Sequence, residues 1–251
     1  MLHRIALVGT GRMGSLIRTT AAAARTPEDT PVFEVVACLD GSDADAMESA
    51  AAADVLIDFS HASCLAGVAA YVTRCRCALV SGTTGYTPEQ AAELRALGAD
   101  VPVVWSGNYS IGVAALRHLV AQATRELPGF DVEIVECHHN RKADAPSGTA
   151  SMLVDAVQET RASMGLDALS PVFGREGLCG PRAADEIGVH AVRGGTVAGV
   201  HTVGFFGPDE EITLTHRAAS RQIFVNGALA AAVKLVERPA GFYTFDALMF
   251  G

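Results

Sequence analysis

Five short apolar runs, separated by helical stretches, occupy the first 110 residues of this 251-residue chain. The runs are IALV (5–8), FEVVACLD (33–40), VLIDFS (55–60), CALVSG (77–82) and VPVVWSG (101–107). The stretches between them, such as RMGSLIRTTAAAAR and TPEQAAELRALGA, carry apolar residues at helical spacing. Continuous apolar strands that alternate with amphipathic helices are typical of a parallel sheet covered on both faces. The sequence therefore predicts an α/β domain.

A glycine-rich turn, VGTGRMG, directly follows the first apolar run. In this G-x-G-x-x-G spacing, Gly9 permits a tight turn, Gly11 lets a pyrophosphate approach the backbone, and Gly14 allows close helix–strand packing. The start of the next helix offers N–H groups and a partial positive charge to phosphates. The motif alone also fits a glycine turn in another kind of α/β protein, but its position favours a dinucleotide site. We expect that site to include Gly9, Thr10, Gly11, Arg12, Met13 and Gly14.

Polar residues also follow the later strands, at what would be one edge of the sheet. Asp40 ends the second strand, where a carboxylate can bind a ribose hydroxyl. Ligands of open parallel sheets bind outside the carboxyl ends of the strands, although the same residue types also suit turns and helix caps. The residues after the third, fourth and fifth strands are therefore expected to contact the cofactor: Phe59, Ser60, Gly82, Thr83, Thr84, Gly107, Asn108, Tyr109 and Ser110.

The pattern changes in the second half of the chain. A strand is predicted at DVEIVEC (131–137), an irregular loop at 165–186, and a β-rich segment at 187–219. Within that segment, Gly194–Gly195 predicts a tight antiparallel turn. A final helix is predicted over 221–237.

These elements predict two domains. Residues 1–110 and 221–251 are expected to form an N-terminal Rossmann dinucleotide-binding domain. Residues 111–220 are expected to form an α+β substrate domain with a mixed, largely antiparallel sheet.

The segment ECHHNRKADAPSGTA (136–150) concentrates cationic side chains, imidazoles and a helix start. His138 and His139 come at the end of a predicted strand. Ser147, Gly148 and Thr149 precede apolar residues at helical spacing, so their N–H groups form an anion site at a helix N-terminus. With Arg141 and Lys142 nearby, this chemistry suits a small substrate that carries one or more carboxylates.

Other interpretations of this segment stay open at the level of sequence. Cys137 and His139 would share one face of a strand and could join His201 and His216 around a metal, but no spacing connects these residues; we expect no metal. Another NAD(P)-dependent oxidoreductase of similar plan, such as an amino-acid dehydrogenase, and a non-catalytic dinucleotide sensor are the rival functions.

Composition restricts the partners and the compartment. The net charge of −9 argues against nucleic acid and anionic membrane surfaces. Six cysteines without a CxxC pair are typical of reduced thiols in a cytosolic protein. The apolar run IALVG near the N-terminus is too short for a signal peptide or a membrane span. A cytoplasmic protein is expected.

The segment ECHHNRKADAPSGTA closely resembles the signature of the dihydrodipicolinate reductase family. That signature is an acidic residue, a small residue, His-His, two variable polar positions and a lysine, and then DAPSGTA. Further segments follow in family order, among them GRMG, IDFS, GTTG, GNYSIG, REG and HTVGFFG. The chain departs from the family at Asp40, where glutamate is common, and at Gly41, where a basic residue is common. Its glycine loop is also one residue shorter than in many members.

The resemblance implies a reaction and residue roles. It implies NADH- or NADPH-dependent reduction of 4-hydroxy-tetrahydrodipicolinate, a cyclic dicarboxylate, to tetrahydrodipicolinate in the diaminopimelate route to lysine. His138 and Lys142 are the implied catalytic residues, and His139, Gly148 and Thr149 the implied substrate-binding residues. It also implies a homotetramer assembled through the sheets of the substrate domains, which would make residues 111–220 an oligomerisation domain as well.

Overall fold

The computed structural model describes the backbone of residues 1–251 and every side chain except that of Ala44. It divides the chain into two compact units. The first unit comprises residues 1–111 and 222–251, and the second comprises residues 112–221.

Eleven strands and eight α-helices make up the two units. The strands are β1 (His3–Val8), β2 (Phe33–Leu39), β3 (Val55–Asp58), β4 (Ala78–Ser81), β5 (Pro102–Trp105), β6 (Asp131–His138), β7 (Ser170–Val172), β8 (Glu186–Arg193), β9 (Gly199–Gly207), β10 (Glu210–Ala218) and β11 (Gly241–Tyr243). The helices are α1 (Arg12–Ala23), α2 (Ala44–Ser49), α3 (Leu65–Cys75), α4 (Pro88–Ala96), α5 (Ile111–Glu126), α6 (Gly148–Ser163), α7 (Gln222–Leu235) and α8 (Phe245–Phe250).

The first unit is built on a parallel sheet with the strand order β11-β5-β4-β3-β1-β2. Apolar residues of α3 and α4 cover its central strands, while α1 and α7 pack against each other and against β2 and β4. The Rossmann-type fold predicted from the sequence is confirmed. The short strand β11 and helix α2 were not predicted, because three and six residues are too few to show a hydrophobic period.

Two glycines fix the turn between β1 and α1. Gly9 has a φ of +107°, a conformation that favours glycine. A Cβ on Gly14 would overlap the carbonyl oxygen of Gly9, so only glycine lets α1 approach the turn this closely. A Cβ on Gly11 would instead meet no atom within 4 Å. The turn is therefore packed on the inside and open at Gly11.

The second unit contains a five-stranded mixed sheet with the order β10-β9-β6-β8-β7. Its core lies between this sheet and the apolar faces of α5 and α6. The predicted mixed sheet is confirmed: β6–β9 and β9–β10 are antiparallel, while β6–β8 and β7–β8 are parallel.

The turn predicted at Gly194–Gly195 does not make a hairpin. The strands on either side, β8 and β9, are separated by β6, which pairs with both. The connecting segment instead wraps around the end of β6, where Gly194 N–H donates to the His138 carbonyl at 2.9 Å. The hairpin is formed by β9 and β10, whose turn contains Asp209 at a φ of +60°.

The structure also bears on two other features, the segment predicted as an irregular loop and the possibility of a membrane-spanning helix. The segment 165–186 is not wholly irregular, because β7 lies within it and pairs with β8. Across the chain as described, no helix has both the length and the apolar character needed to cross a membrane.

Gly227, in the middle of α7, provides a test of helix packing in the first unit. A Cβ at this position would overlap the carbonyl oxygen of Tyr109, whereas a Cβ on Gly67 in α3 would lie 3.6 Å from Met47 Cγ, an ordinary contact. Alanine favours a helix interior by roughly 0.5–1 kcal/mol over glycine, so Gly67→Ala should raise the free energy of unfolding by about that amount. Gly227→Ala should lower it by about 1–3 kcal/mol, because overpacking outweighs the helix propensity.

The two free energies of unfolding are measured by chemical denaturation followed by circular dichroism. Both substitutions replace a helical glycine by alanine and so change helix propensity alike. The difference between their effects on the free energy of unfolding therefore reports the steric conflict with the Tyr109 carbonyl. Equal effects of the two variants would show that α7 does not depend on the close approach to Tyr109.

Candidate active site

The N-terminus of α1 is suited to binding phosphate. Helix α1 begins at Arg12 with Gly11 as its N-cap, and the described structure shows no side-chain cap hydrogen bond at this helix start. Those groups and the helix dipole favour an anion, and the open space at Gly11 admits one. A pocket of about 200 Å³ adjoins the turn, lined by Leu7, Gly9, Thr10, Gly14, Ser15, Arg18 and Cys38. The chain thus fits the pyrophosphate of a dinucleotide here, with Thr10 and Arg12 exposed and Met13 partly exposed beside it.

Asp40 follows β2 and presents an ionised carboxylate. Its Oδ1 accepts hydrogen bonds from the N–H (3.1 Å) and the hydroxyl (2.9 Å) of Ser42. The backbone hydrogen bond from Ser42, followed by that of its hydroxyl, lowers the pKa of Asp40 below its usual value. Oδ1 is thus held in place by Ser42.

Gly41 lies in a packed environment, which accounts for the missing basic side chain at this position. A Cβ on Gly41 would lie 2.7 Å from Cys64 Sγ and 2.9 Å from Val8 Cγ1. Since Cys64 and Val8 are buried, a larger residue at 41 requires the core beneath it to change.

Asp58, which was not among the residues predicted from the sequence, lies at the centre of the candidate site of the first unit. It is fully buried at the end of β3 and accepts hydrogen bonds from the hydroxyls of Ser60 (2.5 Å) and Ser81 (2.9 Å). Ser60 N–H also donates to Thr83 Oγ1 at 3.0 Å. One buried carboxylate therefore brings together the residues after β3 and β4, which include the predicted Phe59, Ser60, Gly82 and Thr83. An acid at the end of an otherwise apolar strand was the available signal.

The residues after β5 take different positions. The Tyr109 side chain is buried, with its hydroxyl donating to the Ser81 carbonyl at 2.7 Å and its ring packed on Phe59 and Phe245. Asn108 Oδ1 accepts from Ser110 N–H at 2.8 Å. Thr84 and Gly107 are exposed. Any cofactor contact of Tyr109 must therefore come from its main chain.

In the second unit, the buried carboxylate of Glu136 lies at the centre of a polar cluster. Its Oε2 is 2.6 Å from His138 Nδ1 and accepts from Arg193 at 2.8 Å. Its Oε1 accepts from Arg193 at 2.8 Å and from Ser147 N–H at 3.1 Å. Burial raises the pKa of Glu136, but the hydrogen bonds from Arg193, His138 and Ser147 outweigh burial and lower the pKa below its usual value. Glu136 is therefore ionised despite being fully buried.

Helix α6 starts beside this carboxylate, as the sequence predicted. Ser147 is its N-cap, and the Ser147 hydroxyl accepts from Ala150 N–H at 3.2 Å. Gly148 and Thr149 form the first turn, and a Cβ on Gly148 would meet no atom within 4 Å. The N–H groups at this helix start face a position where a ligand can approach the backbone.

His201, a further residue of the cluster, is buried and neutral. Burial, and secondarily the charge of His138, lower its pKa to about 4. Its Nε2 lies 3.1 Å from the Ser147 hydroxyl, and its ring meets that of His138 edge-on at 5.1 Å between centroids. The Ser147 hydroxyl therefore connects the first turn of α6 to the ring of His201.

The remaining predicted residues lie on the loop between β6 and α6. Lys142 Nζ is 2.8 Å from an Asp144 carboxylate oxygen, and this hydrogen bond lowers the pKa of Asp144. His139 donates its N–H to the Val197 carbonyl at 2.8 Å, and its Nδ1 is buried without a partner in the described structure. The loop thus joins His138, His139 and Lys142 to the start of α6.

The residues considered as metal ligands do not form a metal site in the described structure. Within the part of the chain that the structure describes, no three His, Cys, Asp or Glu residues are close enough together to hold a metal ion. The Nε2 atom of His201, one of the candidate ligands, is hydrogen-bonded to the hydroxyl of Ser147.

The chain is similar to known proteins over nearly its whole length. The family model for the N-terminus of dihydrodipicolinate reductase matches residues 3–109, and the model for its C-terminus matches residues 112–249. A 4-hydroxy-tetrahydrodipicolinate reductase of Caldanaerobacter subterraneus subsp. tengcongensis is 38% identical over 258 residues, covering 99% of each chain. The enzyme of the same name from Nitratidesulfovibrio vulgaris is 40% identical over 241 residues, covering 92% of each.

A solved structure is also similar to this chain in fold. The dipicolinate-bound dihydrodipicolinate reductase from Paenisporosarcina sp. TG-14 matches with a TM-score of 0.76 and 26% identity, covering 97% of this chain and 98% of that one.

Proposed function

The chain belongs to the dihydrodipicolinate reductase family, and we propose how its residues carry out the family's reaction. The chain is an oxidoreductase that uses NADH or NADPH to reduce 4-hydroxy-tetrahydrodipicolinate to tetrahydrodipicolinate in the diaminopimelate route to lysine. A coupled assay, in which a synthase generates the substrate and nicotinamide absorbance is followed, tests this activity directly. Reduction of NAD⁺ or NADP⁺ by amino acids, with no oxidation of the reduced cofactor by the synthase-generated substrate, would instead identify an amino-acid dehydrogenase of similar fold.

In our proposal, the glycine turn and the ends of β2 to β5 bind the cofactor. Bound there, the reduced nicotinamide supplies a hydride to the substrate ring. The backbone N–H groups at the start of α1 hold the pyrophosphate, and Asp40 accepts from the adenosine ribose. The open Gly11 and the uncapped first turn of α1 support this assignment.

The cluster around Glu136 handles the substrate. His138 exchanges a proton with the ring, because imidazole suits proton transfer near neutral pH, and Lys142 is the second donor. His139, Gly148 and Thr149 bind carboxylate at the start of α6. The observation that carries this proposal is that the Glu136 carboxylate bonds both His138 and the N-cap of α6, which places a proton-transfer group beside an anion site.

Lys142→Ala should lower kcat by about 10²- to 10⁴-fold, the range expected when a proton donor is lost. The dissociation constant for NADH, measured by fluorescence titration, should stay unchanged, because Lys142 lies on the loop that precedes α6 and not at the glycine turn. Arg141→Ala is the matched control: it removes one neighbouring exposed positive charge and should keep kcat close to that of the unmodified protein. A near-normal kcat for Lys142→Ala would remove this residue from the mechanism.

Asp40 is expected to set the cofactor preference. Its carboxylate binds a ribose hydroxyl of NADH and repels the 2′-phosphate of NADPH. Gly41 offers no compensating charge, and the exposed Arg12 offsets the repulsion only in part. NADH should therefore be used at least as well as NADPH, with a difference within about 1–3 kcal/mol. Asp40→Asn should shift kcat/KM towards NADPH, whereas Asp45→Asn, which removes a nearby exposed carboxylate, should not. A strong preference of the unmodified protein for NADPH would contradict this assignment.

We also propose that the chain forms a homotetramer through the open face of the second sheet. On the face opposite α5 and α6, Val135, Val192 and Phe206 are between 39% and 48% exposed. Exposed apolar side chains on one face of a sheet favour burial against another subunit.

Light scattering after size exclusion should give about four times the 26.1 kDa mass of one chain. Val135→Glu should dissociate the assembly, because it buries an unpaired charge. Leu119→Glu, at an exposed position of α5, should leave it intact. A monomeric unmodified protein would contradict the proposal.

The cysteines and the net charge support proposals about the cellular compartment and about nucleic acid as a partner. We propose a cytoplasmic protein, supported by six cysteines that are all free thiols. The net charge of −9 continues to disfavour nucleic acid as a partner.

A further inference from the structure

We propose that Glu136, held by Arg193, is a positioning residue that keeps a proton on Nδ1 of His138 and makes Nε2 the nitrogen that exchanges a proton with the substrate. This inference rests on the proton-transfer role proposed for His138 and adds the residues that control it. Its basis is the geometry of the buried cluster.

The hydrogen bonds of Glu136 determine the tautomer of His138. The Glu136 carboxylate is ionised, and an ionised carboxylate only accepts hydrogen bonds. At 2.6 Å from Oε2, His138 Nδ1 must therefore be the donor. In neutral His138 the other nitrogen, Nε2, then lacks a proton, and in the imidazolium form Nε2 carries the proton that can be transferred.

Arg193 keeps Glu136 in the form that this arrangement requires. Glu136 is fully buried, and burial by itself favours the protonated acid. The guanidinium binds both carboxylate oxygens at 2.8 Å, a bidentate geometry that stabilises the charge. Arg193 also donates to the Asp144 carbonyl at 2.7 Å, so it additionally fixes the loop that carries Lys142.

Gly199 leaves room beside Nε2. A Cβ at this position would lie 3.1 Å from His138 Nε2 and 3.5 Å from its Cδ2. The nearest neighbouring ring is that of His201, which is neutral at physiological pH and so adds no positive charge next to His138. The cluster therefore constrains Nδ1 and leaves Nε2 for the reaction.

The same carboxylate also positions the anion site. Glu136 Oε1 accepts from the N–H of Ser147, the N-cap of α6. The proton-transfer ring and the carboxylate-binding helix start are thus fixed relative to each other by two oxygens of one side chain.

Glu136→Gln is the direct test. An amide nitrogen that faces His138 Nδ1 is a donor, which forces Nδ1 to accept and moves the proton of neutral His138 to Nε2. We expect kcat to fall about 10²- to 10⁴-fold, as for loss of correct general acid–base function. The KM for the dicarboxylate and the dissociation constant for NADH should change far less.

A spectroscopic readout separates tautomer control from a merely structural role. In protein labelled with ¹⁵N-histidine, the two ring nitrogens of His138 should show the Nδ1–H tautomer in the unmodified chain and the Nε2–H tautomer in Glu136→Gln. Resonances are assigned by their loss in His138→Gln. Glu133→Gln is the matched control on the same strand, since Glu133 also binds arginines and a histidine, and it should alter neither kcat nor these resonances.

Two more variants keep the inference testable if Glu136→Gln does not fold. Glu136→Asp retains an ionised acceptor and should keep the Nδ1–H tautomer with part of the activity. Gly199→Ala places a Cβ beside Nε2 and Cδ2 of His138, at a backbone φ of +158° that favours glycine, and should lower kcat with the tautomer unchanged. An Nε2–H tautomer in the unmodified protein, or a normal kcat in Glu136→Gln, would overturn the inference.

The control His138→Gln distinguishes failure of this inference from failure of the proposed function. If His138→Gln keeps a normal kcat, the proton-transfer role of His138 itself is wrong. If His138→Gln is inactive while Glu136→Gln is fully active, only the positioning role is wrong.

Discussion

The arrangement of the second unit depends on one buried ionised carboxylate, Glu136, and on the guanidinium that neutralises it. A carboxylate without such a partner is costly to bury, and removing one member of a buried pair destabilises a protein strongly. Here the pair lies at the junction of β6, β8 and the start of α6, so the charge that must be satisfied also determines where these elements meet. The proposed catalytic geometry and the stability of the fold therefore depend on the same hydrogen bonds.

The first unit uses a buried acid at the equivalent point of its own architecture. Asp58 ends β3 and binds the hydroxyls of Ser60 and Ser81, which hold the loops after β3 and β4 together. In both units an acid lies near the carboxyl end of a strand, and the loops that carry the proposed ligand-binding residues are hydrogen-bonded to that acid. Loops are otherwise the most mobile parts of a fold, so these acids supply the rigidity that a binding site requires.

The parts of the structure that were predictable from the sequence are those fixed by neighbours in the chain. The glycine turn was predictable because its packing involves residues five positions apart, and the start of α6 because its cap and apolar spacing lie within one segment. The hairpin at Gly194–Gly195 was predicted wrongly because a tight turn says nothing about a third strand that inserts between its arms. Arg193 was missed as a site residue because it is 57 positions from Glu136 along the chain, and only the register of β6 against β8 brings the two together.

The packing around Gly41 restricts how the cofactor preference of this enzyme can evolve. A basic residue there would favour a phosphorylated ribose, yet its Cβ would meet Cys64 Sγ at 2.7 Å and Val8 Cγ1 at 2.9 Å. A single mutation at 41 would first incur a folding penalty, and its benefit would appear only after Cys64, or the position of α3, had changed. The order of mutations is therefore constrained: a permissive change in the core must precede a change of specificity at the surface.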